Sequence, residues 1–227
     1  KPLSQIRELN LRRNSRLRDD VLAQMKGLPN LQYLHILYNN FSDQGMAHLQ
    51  GLEKLRLLDI RGCMQVSDAG LEHLAGLTNL VSLKLRSYAI TDMGLEYLQG
   101  LSKLRTLAIE DSSISDAGLE QLRHFPDLED LSIFRCYGVG DPGLAHLAGL
   151  TKLRRLDLRR VETNGSGLVH LKGMTQLEWL DLGLTHIGDD ALVHLKALPS
   201  LKSLNVMSTH RTDAGMQTLG ELSGMRT

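Results

Sequence analysis

The chain is poor in cysteine, aromatic residues and net charge, and it has no long apolar run. Its 227 residues include two cysteines and nine aromatic side chains, and 26 basic residues balance 26 acidic ones. Two cysteines are too few for a disulfide scaffold and favour a reducing compartment, so we expect a cytoplasmic protein. No run approaches the ~18 apolar residues of a membrane span. The even charge balance argues against a general nucleic-acid binder.

Leucine is abundant, with 48 residues in the chain. A block of the form Leu-x-x-Leu-x-Leu recurs every 24 or 25 residues. Such a period is typical of solenoids, in which each repeat buries its apolar face against its neighbours. We predict a single domain over residues 1–227. We also expect a fragment of a longer protein, because the sequence begins at Lys1 with neither an initiator methionine nor the apolar core of a signal peptide. The nine repeats begin at Ile6, Leu31, Leu55, Leu80, Leu104, Leu128, Leu153, Leu177 and Leu201.

Within each repeat the apolar period changes, which predicts a strand followed by a helix. In the fourth repeat Leu83 and Leu85 alternate with a polar residue, as in a strand with one buried face. Leu95 and Leu98 then lie three residues apart, as on one side of a helix. Stacked repeats should therefore place parallel strands on one side and helices on the other.

Recurring polar residues and glycines mark the expected helix ends. Thr91 before Asp92 predicts a hydroxyl cap and a favourable negative charge at the start of the helix. A glycine after the helix predicts a left-handed C-terminal cap. These glycines are Gly27, Gly51, Gly76, Gly100, Gly149 and Gly173.

The seventh repeat departs from this pattern. Thr163 replaces the usual isoleucine or valine, and Gly165 replaces the aspartate at the helix start. A weakened repeat can mark a bend, a contact site or sequence drift, and the sequence leaves these three interpretations open.

The Leu-x-x-Leu-x-Leu blocks, together with Ile/Val-Ser/Thr-Asp-x-Gly-Leu, resemble leucine-rich repeat proteins over nearly the whole chain. The pattern is similar to the cysteine-containing, F-box-type subfamily and to bacterial leucine-rich repeat proteins with Ile-Thr-Asp-x-Gly-Leu repeats. Cys63, Cys136, Asn14 and Asn39 occupy the cysteine/asparagine position of the repeat. The resemblance implies an α/β solenoid shaped as an arc or horseshoe, with a concave parallel sheet, convex helices and usually a macromolecular ligand on the sheet.

In each block Leu-x-x-Leu-x-Leu-x-x the positions outside the leucine frame should face solvent, and they carry the variable residues. Four of the nine aromatic residues, including the only tryptophan, fall there. Aromatic and arginine side chains are typical of hot spots in protein interfaces. We therefore predict that a protein partner binds this surface. We expect neighbouring strands to bring together two groups of its residues, Tyr33, Leu37, Tyr38 and Leu57 in one and Arg155, Arg159, Arg160 and Trp179 in the other. The predicted contact residues are Tyr33, His35, Leu37, Tyr38, Leu57, Arg61, Arg86, Phe134, Arg135, Arg155, Arg159, Arg160, Trp179 and Leu184.

The neutral total charge conceals an uneven distribution. Each block Leu-x-x-Leu-x-Leu-x-x has five positions outside the leucine frame, three between the leucines and two after the last. Over the nine blocks these positions carry 14 basic and nine acidic residues, which leaves 12 basic and 17 acidic residues elsewhere. This basic excess favours a partner with acidic segments. Nucleic acid is the competing interpretation, because arginines cluster between positions 154 and 160. Interleaved carboxylates such as Asp157 and Asp181 would break a phosphate path, so we expect no nucleic acid.

No pattern predicts catalysis, a cofactor or a metal ion. Cys63 and Cys136 lie three repeats apart, beyond disulfide reach, and we expect both to be buried. The glycines follow the repeat period, so they predict no phosphate-binding loop. Five histidines recur at one helical position, but one ligand per repeat is too widely spaced for shared metal coordination. They are His48, His73, His146, His170 and His194.

These observations predict a non-catalytic protein-binding module, with two alternatives. The resemblance to F-box-type repeats is compatible with the substrate-recognition domain of a larger enzyme, such as a ubiquitin ligase or a secreted bacterial effector. A structural or assembly scaffold is the other alternative, since neither terminus shows a dedicated cap and open repeat ends can self-associate.

Overall fold

The structure, a computed structural model, describes residues 3–210 and 212–221. It consists of two compact units, Lys1–Ser113 and Ile114–Thr227. In both units a short strand, a loop and a short helical segment follow one another in each repeat. The predicted alternation of strand and helix is therefore confirmed.

The first unit contains five parallel strands whose order in the sheet follows their order in the chain. The register places the middle leucines of neighbouring strands side by side, as with Leu58 beside Leu83. Both side chains are fully buried, and each such burial stabilises the fold by ~1.5–3 kcal/mol. The strands are β1 (Glu8–Asn10), β2 (Tyr33–His35), β3 (Leu57–Asp59), β4 (Ser82–Arg86) and β5 (Thr106–Glu110).

The α-helices of the first unit begin at the recurring aspartates, as the sequence predicts. The capping hydroxyl is also present, because Ser67 accepts a hydrogen bond from the Ala69 N–H at 3.3 Å. The helices are α1 (Asp19–Ala23), α2 (Asp43–Ala47), α3 (Asp68–Glu72) and α4 (Asp92–Tyr97), with 3₁₀ segments at Leu3–Gln5 and Gln24–Gly27.

The second unit contains four parallel strands in chain order, and Leu156 lies between Leu131 and Leu180. Its helical segments are mostly 3₁₀ helices, which the apolar spacing did not predict. The strands are β6 (Asp130–Ser132), β7 (Arg155–Asp157), β8 (Trp179–Asp181) and β9 (Ser203–Asn205). The helical segments are Gly118–His124, α5 (Asp141–Leu144), Ala145–Leu147, Ser166–Gly173, Asp189–Ala197 and α6 (Asp213–Gly220).

The predicted glycine caps are wrong except at Gly51, which has a φ of 83°. The other five glycines after the helices lie outside the left-handed region. The helices close in tight turns instead, as where the Leu77 N–H donates to the Leu74 carbonyl at 2.9 Å, so no left-handed residue is needed.

The left-handed backbone conformation recurs after the strands, at residues other than glycine. A left-handed residue with a Cβ costs ~1–2 kcal/mol. Because the same turn recurs in most repeats, its geometry is set by the stacking and not by the local residue type. The residues are Arg13, Tyr38, Asp111, Arg135, Arg160, Leu184 and Ser208, with φ between 46° and 60°.

The recurring aspartates also connect successive repeats, a role that the sequence analysis missed. The carboxylate of Asp43 accepts the Ser67 hydroxyl at 2.6 Å and the Ser67 N–H at 2.7 Å. Asp68 binds Thr91 of the next repeat in the same way. A Cβ on Gly70 would lie 2.5 Å from Asp43 Oδ1. The glycine of Asp-x-Gly therefore makes room for the aspartate of the preceding repeat.

The irregular seventh repeat keeps this connection with different residues. Thr163 is fully buried, and its hydroxyl donates to Asp141 at 2.6 Å. The N–H groups of Asn164, Gly165 and Gly167 donate to the same carboxylate at 2.9, 3.2 and 2.6 Å. Thr163 thus replaces a buried isoleucine or valine with a buried threonine, whose hydroxyl finds its hydrogen-bond partner in the preceding repeat.

Candidate functional site

Arg155 and Trp179 of the second unit stack on the outward face. By this term we mean the side chains of each Leu-x-x-Leu-x-Leu-x-x block outside its leucine frame. They begin β7 and β8, and the register places them side by side. The guanidinium carbon of Arg155 lies 4.2 Å from the indole ring centre, within the range of cation–π attraction. The Arg155 side chain is 50% exposed, and its Nε lies 3.7 Å from Asp130. The predicted proximity of Arg155 and Trp179 is confirmed.

Arg159 connects a second aromatic ring to two buried carboxylates. Its guanidinium carbon lies 4.8 Å from the centre of the Phe134 ring. Its Nε donates to Asp157 at 2.9 Å and lies 3.4 Å from Asp181. The two aspartates are only 8% and 4% exposed, so the expectation that they stand open on the surface is wrong. Arg159 therefore pairs with both carboxylates.

Arg135 completes this group, since its guanidinium carbon lies 5.7 Å from the same Phe134 ring. Cationic groups over aromatic faces combine apolar area with charge that a partner can reach. We call the following set the arginine–aromatic cluster: Phe134, Arg135, Arg155, Arg159 and Trp179.

In the first unit Tyr33 and Leu57 lie side by side at the starts of β2 and β3. Tyr33 is 36% exposed and Leu57 is half-buried. His35 is also half-buried, and its Nε2 lies 3.8 Å from Glu8. The predicted proximity of Tyr33 and Leu57 is confirmed, and partner binding at these residues stays a prediction.

Tyr38 is exposed and lies close to two arginines. The guanidinium carbon of Arg13 lies 5.6 Å from its ring centre, and Arg86 donates to its hydroxyl at 3.4 Å. The ring packs over Gly62, where an added Cβ would lie 2.5 Å from a ring carbon. Gly62 therefore keeps the tyrosine ring flat against the backbone.

The predicted contact residues Arg61 and Arg86 are engaged within the first unit. Arg61 donates to Asp59 at 2.9 Å and lies 3.5 Å from Glu110. The hydrogen bond to Asp59 raises the pKa of Arg61 despite partial burial. Burial lowers the pKa of Arg86, but its hydrogen bond to Asp111 and the charge of that carboxylate outweigh burial and raise it. These internal partners reduce what either arginine can offer to a ligand.

The prediction that Leu37 faces solvent is wrong. Its side chain is buried, with 7% exposure. β2 ends at His35, so the alternation of inward and outward side chains does not extend to Leu37. The left-handed Tyr38 then turns the chain, and the apolar side chain of Leu37 lies in the core.

Arg160 and Leu184 line a cleft of about 250 Å³ beyond the ends of the second unit's strands. Leu184 is 37% exposed. Tyr137 lines the same cleft, and hydrogen bonds from Arg135 and then Arg160 lower the pKa of its phenol. Two of the predicted contact residues therefore belong to the loop edge and not to the strand surface.

Tyr137, His186 and His210 are potential contact residues that the sequence analysis missed. The two imidazole rings lie 5.5 Å apart, and His186 lies 3.5 Å from Glu162. Each missed residue directly follows the cysteine/asparagine position of its repeat. That periodic position, read across the repeats, could have identified this edge from the sequence.

The two cysteines are buried, as predicted. The Cys63 thiol donates to the Ile36 carbonyl at 3.2 Å. Burial raises the pKa of Cys63 to about 11, so the thiol stays protonated at neutral pH and is a poor nucleophile.

The helical histidines lie at the surface or are partly packed, as in His146 and His73 respectively. Within the described ranges 3–210 and 212–221, no three His, Cys, Asp or Glu side chains come together as a metal site would require. No helix in that part of the chain has the length and apolarity needed to cross a bilayer.

Comparisons with known proteins agree with this architecture. The profile of a family described as "Leucine-rich repeat region" matches residues 1–223. Internalin C2 from Listeria monocytogenes is 23% identical to this chain and superposes on it with a TM-score of 0.67. The match covers 98% of this chain and 80% of the internalin. A second internalin from that organism, inlF, is 22% identical with a TM-score of 0.60, and the match covers 90% of this chain and 68% of inlF.

These structural likenesses establish the fold alone. A comparison with curated proteins gives no match. The matches do not single out the cysteine-containing subfamily, so the F-box-type similarity stays a prediction.

Proposed function

Because the chain belongs to the leucine-rich repeat family, we propose that it is a non-catalytic module that binds a protein partner. The outward face of the second unit is the proposed contact surface, with the arginine–aromatic cluster at its centre. A general role in protein interaction is compatible with the repeat fold, whereas the location of the contact rests on the geometry of this cluster.

The stack of Arg155 on Trp179 is the observation that carries the proposal. Trp179 offers a large flat apolar surface, and the guanidinium group lies 4.2 Å from its ring centre. Tryptophan and arginine are the residue types most enriched at interface hot spots. A partner that covers this stack would remove indole surface from water and gain a hydrogen bond to Arg155.

The charges around the stack favour a partner with acidic side chains. Arg155 has half of its side chain exposed and meets Asp130 only at 3.7 Å. A partner carboxylate can therefore form a shorter, charge-assisted contact with it. Arg159 differs, because Asp157 and Asp181 already balance its charge. We assign Arg155 the direct ionic contact and Arg159 the support of the Phe134 ring.

Burial of the strand carboxylates supports binding over catalysis on this surface. Asp157 and Asp181 are 8% and 4% exposed, and Arg159 pairs with both of them. A substrate on this face would therefore not reach either carboxylate directly.

Capture with surface variants tests the proposal. The wild-type chain, Trp179→Ala and Val193→Ala would be immobilised, and the retained proteins identified by mass spectrometry. Val193 is the matched control because it is an exposed apolar residue of the same repeat, on the helical segment Asp189–Ala197. We expect a partner retained by the wild type and by Val193→Ala, with at least about 30-fold weaker affinity for Trp179→Ala.

Circular dichroism would confirm that both variants keep the wild-type secondary structure. Equal affinity of the partner for the wild type and for Trp179→Ala would place the contact elsewhere. Weaker affinity of the partner for Val193→Ala alone would place the contact on the helical side of the second unit.

A further inference from the structure

The first unit carries a basic cavity. Its volume is about 400 Å³, and it precedes the starts of strands β2 to β5. Three of its side chains are cationic and one is apolar. The lining residues are Gln32, Lys54, Arg56, Asn79, Val81 and Lys103.

The two lysines of the cavity have neutral hydrogen-bond partners. Lys54 Nζ donates to Asn30 at 2.6 Å, and Lys103 Nζ donates to Asn79 at 2.6 Å. These neutral amide oxygens hold the ammonium groups in position without cancelling their charge. Among the residues that the structure describes, none of Lys54, Arg56 and Lys103 forms an ion pair.

The same repeat positions in the second unit are neutralised. Lys152 pairs with Asp127 there, and Arg154 pairs with Glu178. Lys202 also binds Glu178, at 2.9 Å. Hydrogen bonds from Lys202 and then Arg154 lower the pKa of Glu178. The repeat fold therefore allows ion pairs at these positions, and the cavity of the first unit is distinctive because its three cationic side chains form none with the described residues.

The backbone around the cavity is already paired, which limits the kind of ligand that it can take. The Gln32 carbonyl accepts N–H groups of both Arg56 and Leu57, at 2.8 and 2.9 Å. The Arg56 carbonyl likewise accepts those of Val81 and Ser82. An added peptide strand would find no free backbone partner at these residues. Recognition must come from side-chain charge and amide groups.

We propose that this cavity binds a compact ligand that carries several phosphate or sulfate groups. Lysine ammonium groups act as point charges for such oxyanions, and arginine binds them through two parallel hydrogen bonds. The side-chain amide of Gln32 can donate to the same oxygens, whereas the Asn79 amide already donates to the Glu53 carbonyl at 2.8 Å and serves to position Lys103. Val81 alone supplies apolar contact, so the affinity resides in the charges of the ligand. This inference is independent of the proposed protein contact on the second unit.

Isothermal titration calorimetry with tripolyphosphate at low ionic strength tests the proposal. We expect saturable binding of about one ion to the wild-type chain. The double variant Lys54→Ala with Lys103→Ala should bind at least about tenfold more weakly, because two charge-assisted contacts are lost. Increasing the salt concentration should weaken the wild-type affinity, since these groups are exposed to solvent.

A matched control replaces two paired lysines of the second unit, of which Lys152 has the repeat position of Lys54 and Lys103 and Lys202 has that of Arg56. Lys152→Ala with Lys202→Ala removes the same charge from side chains that are 55% and 56% exposed. We expect its affinity for tripolyphosphate to stay within about twofold of the wild type, because paired lysines offer little to a further anion. Unchanged thermal unfolding of both double variants would show that the fold is intact.

Parallel titrations distinguish the sources of the anion. Tighter binding of tripolyphosphate than of sucrose octasulfate would identify a phosphate ligand, and the reverse order would identify a sulfated one. Tighter binding of a hexaglutamate peptide than of either would overturn the proposal in favour of an acidic protein segment. Absence of tripolyphosphate binding to the wild type, or equal weakening by the control variant, would also overturn it.

Discussion

The substitution Gly143→Ala should lower the free energy of unfolding by about 2–5 kcal/mol. A Cβ at this position would overlap Asp116 Oδ1 and would lie 3.1 Å from the Asp116 Cα. That carboxylate accepts the Gly140 N–H at 2.7 Å and the Gly143 N–H at 3.0 Å. The added methyl group would displace the carboxylate from both donors, and the nearby backbone of Asp116 restricts relaxation. Urea unfolding monitored by circular dichroism would measure the loss.

Gly149→Ala is the matched control for this prediction. Gly149 belongs to the same repeat, no atom lies within 4 Å of an added Cβ, and its φ is outside the left-handed region. We expect a change from zero to about 1 kcal/mol in the stabilising direction, because alanine restricts the unfolded chain. Equal stability of the two variants would show that the Asp-x-Gly glycine does not accommodate the preceding aspartate.

Asp141→Ala should destabilise the second unit by about 3–4 kcal/mol. The carboxylate accepts the Thr163 hydroxyl and three N–H groups of the seventh repeat. Alanine would leave the fully buried Thr163 hydroxyl without this acceptor. Asp141→Asn should cost less, about 1–2 kcal/mol, because an amide oxygen still accepts hydrogen bonds.

The acid dependence of stability offers a second measurement at Asp141. Burial works to raise its pKa, but the Thr163 hydroxyl and the backbone N–H groups outweigh burial and lower it below the ordinary 3.8. The stabilisation is therefore complete above pH 3.8 and is lost as the pH falls through the folded-state pKa. The difference in unfolding free energy between the wild type and Asp141→Asn should shrink over that range.

An exposed aspartate serves as the control for Asp141. Asp190 lies in the first turn of Asp189–Ala197, and its side chain is exposed and forms no hydrogen bond with another residue of the described ranges. Asp190→Ala should cost less than about 1 kcal/mol, the contribution of a charge near a helix start. A loss at Asp141→Ala no larger than this would contradict the proposed connection between the sixth and seventh repeats.

The strands and the buried core were predictable because the same repeated leucine pattern specifies both. Leu83 and Leu85 alternate with Lys84 in the sequence, and they alternate in burial in β4. Stacking then follows from the repetition itself, since each leucine meets the equivalent leucine of the next repeat.

Contacts between repeats were the part that local rules missed. Asp43 reads as a charge at the start of its own helix, yet its carboxylate also binds Ser67 of the next repeat. The glycines were misjudged for a related reason, because the sequence rule ties glycine to a left-handed backbone. Gly70 has no such backbone and is required because an aspartate from another repeat lies against it. Such pairings depend on a three-dimensional register that one repeat does not encode by itself.

The candidate surface was predicted in composition but not in detail. The tryptophan and its neighbouring arginine were placed correctly, because strand alternation is reliable within β7 and β8. Leu37 failed because it lies past the end of β2, where alternation no longer applies. Arg61 is less available to a ligand than predicted, because it pairs with Asp59 two residues before it. The sequence pattern gave no sign that Asp59 is buried.

Fluorescence of Trp179 tests the central claim most directly, because it is the only tryptophan in the chain. The captured partner, or a tryptophan-free variant of it, would be added to saturation and the emission quenched with acrylamide. A partner seated on the arginine–aromatic cluster should shift the emission to shorter wavelength and reduce quenching severalfold, since the half-buried indole becomes covered. Unchanged emission and quenching at saturation would contradict the assignment of this surface as the contact.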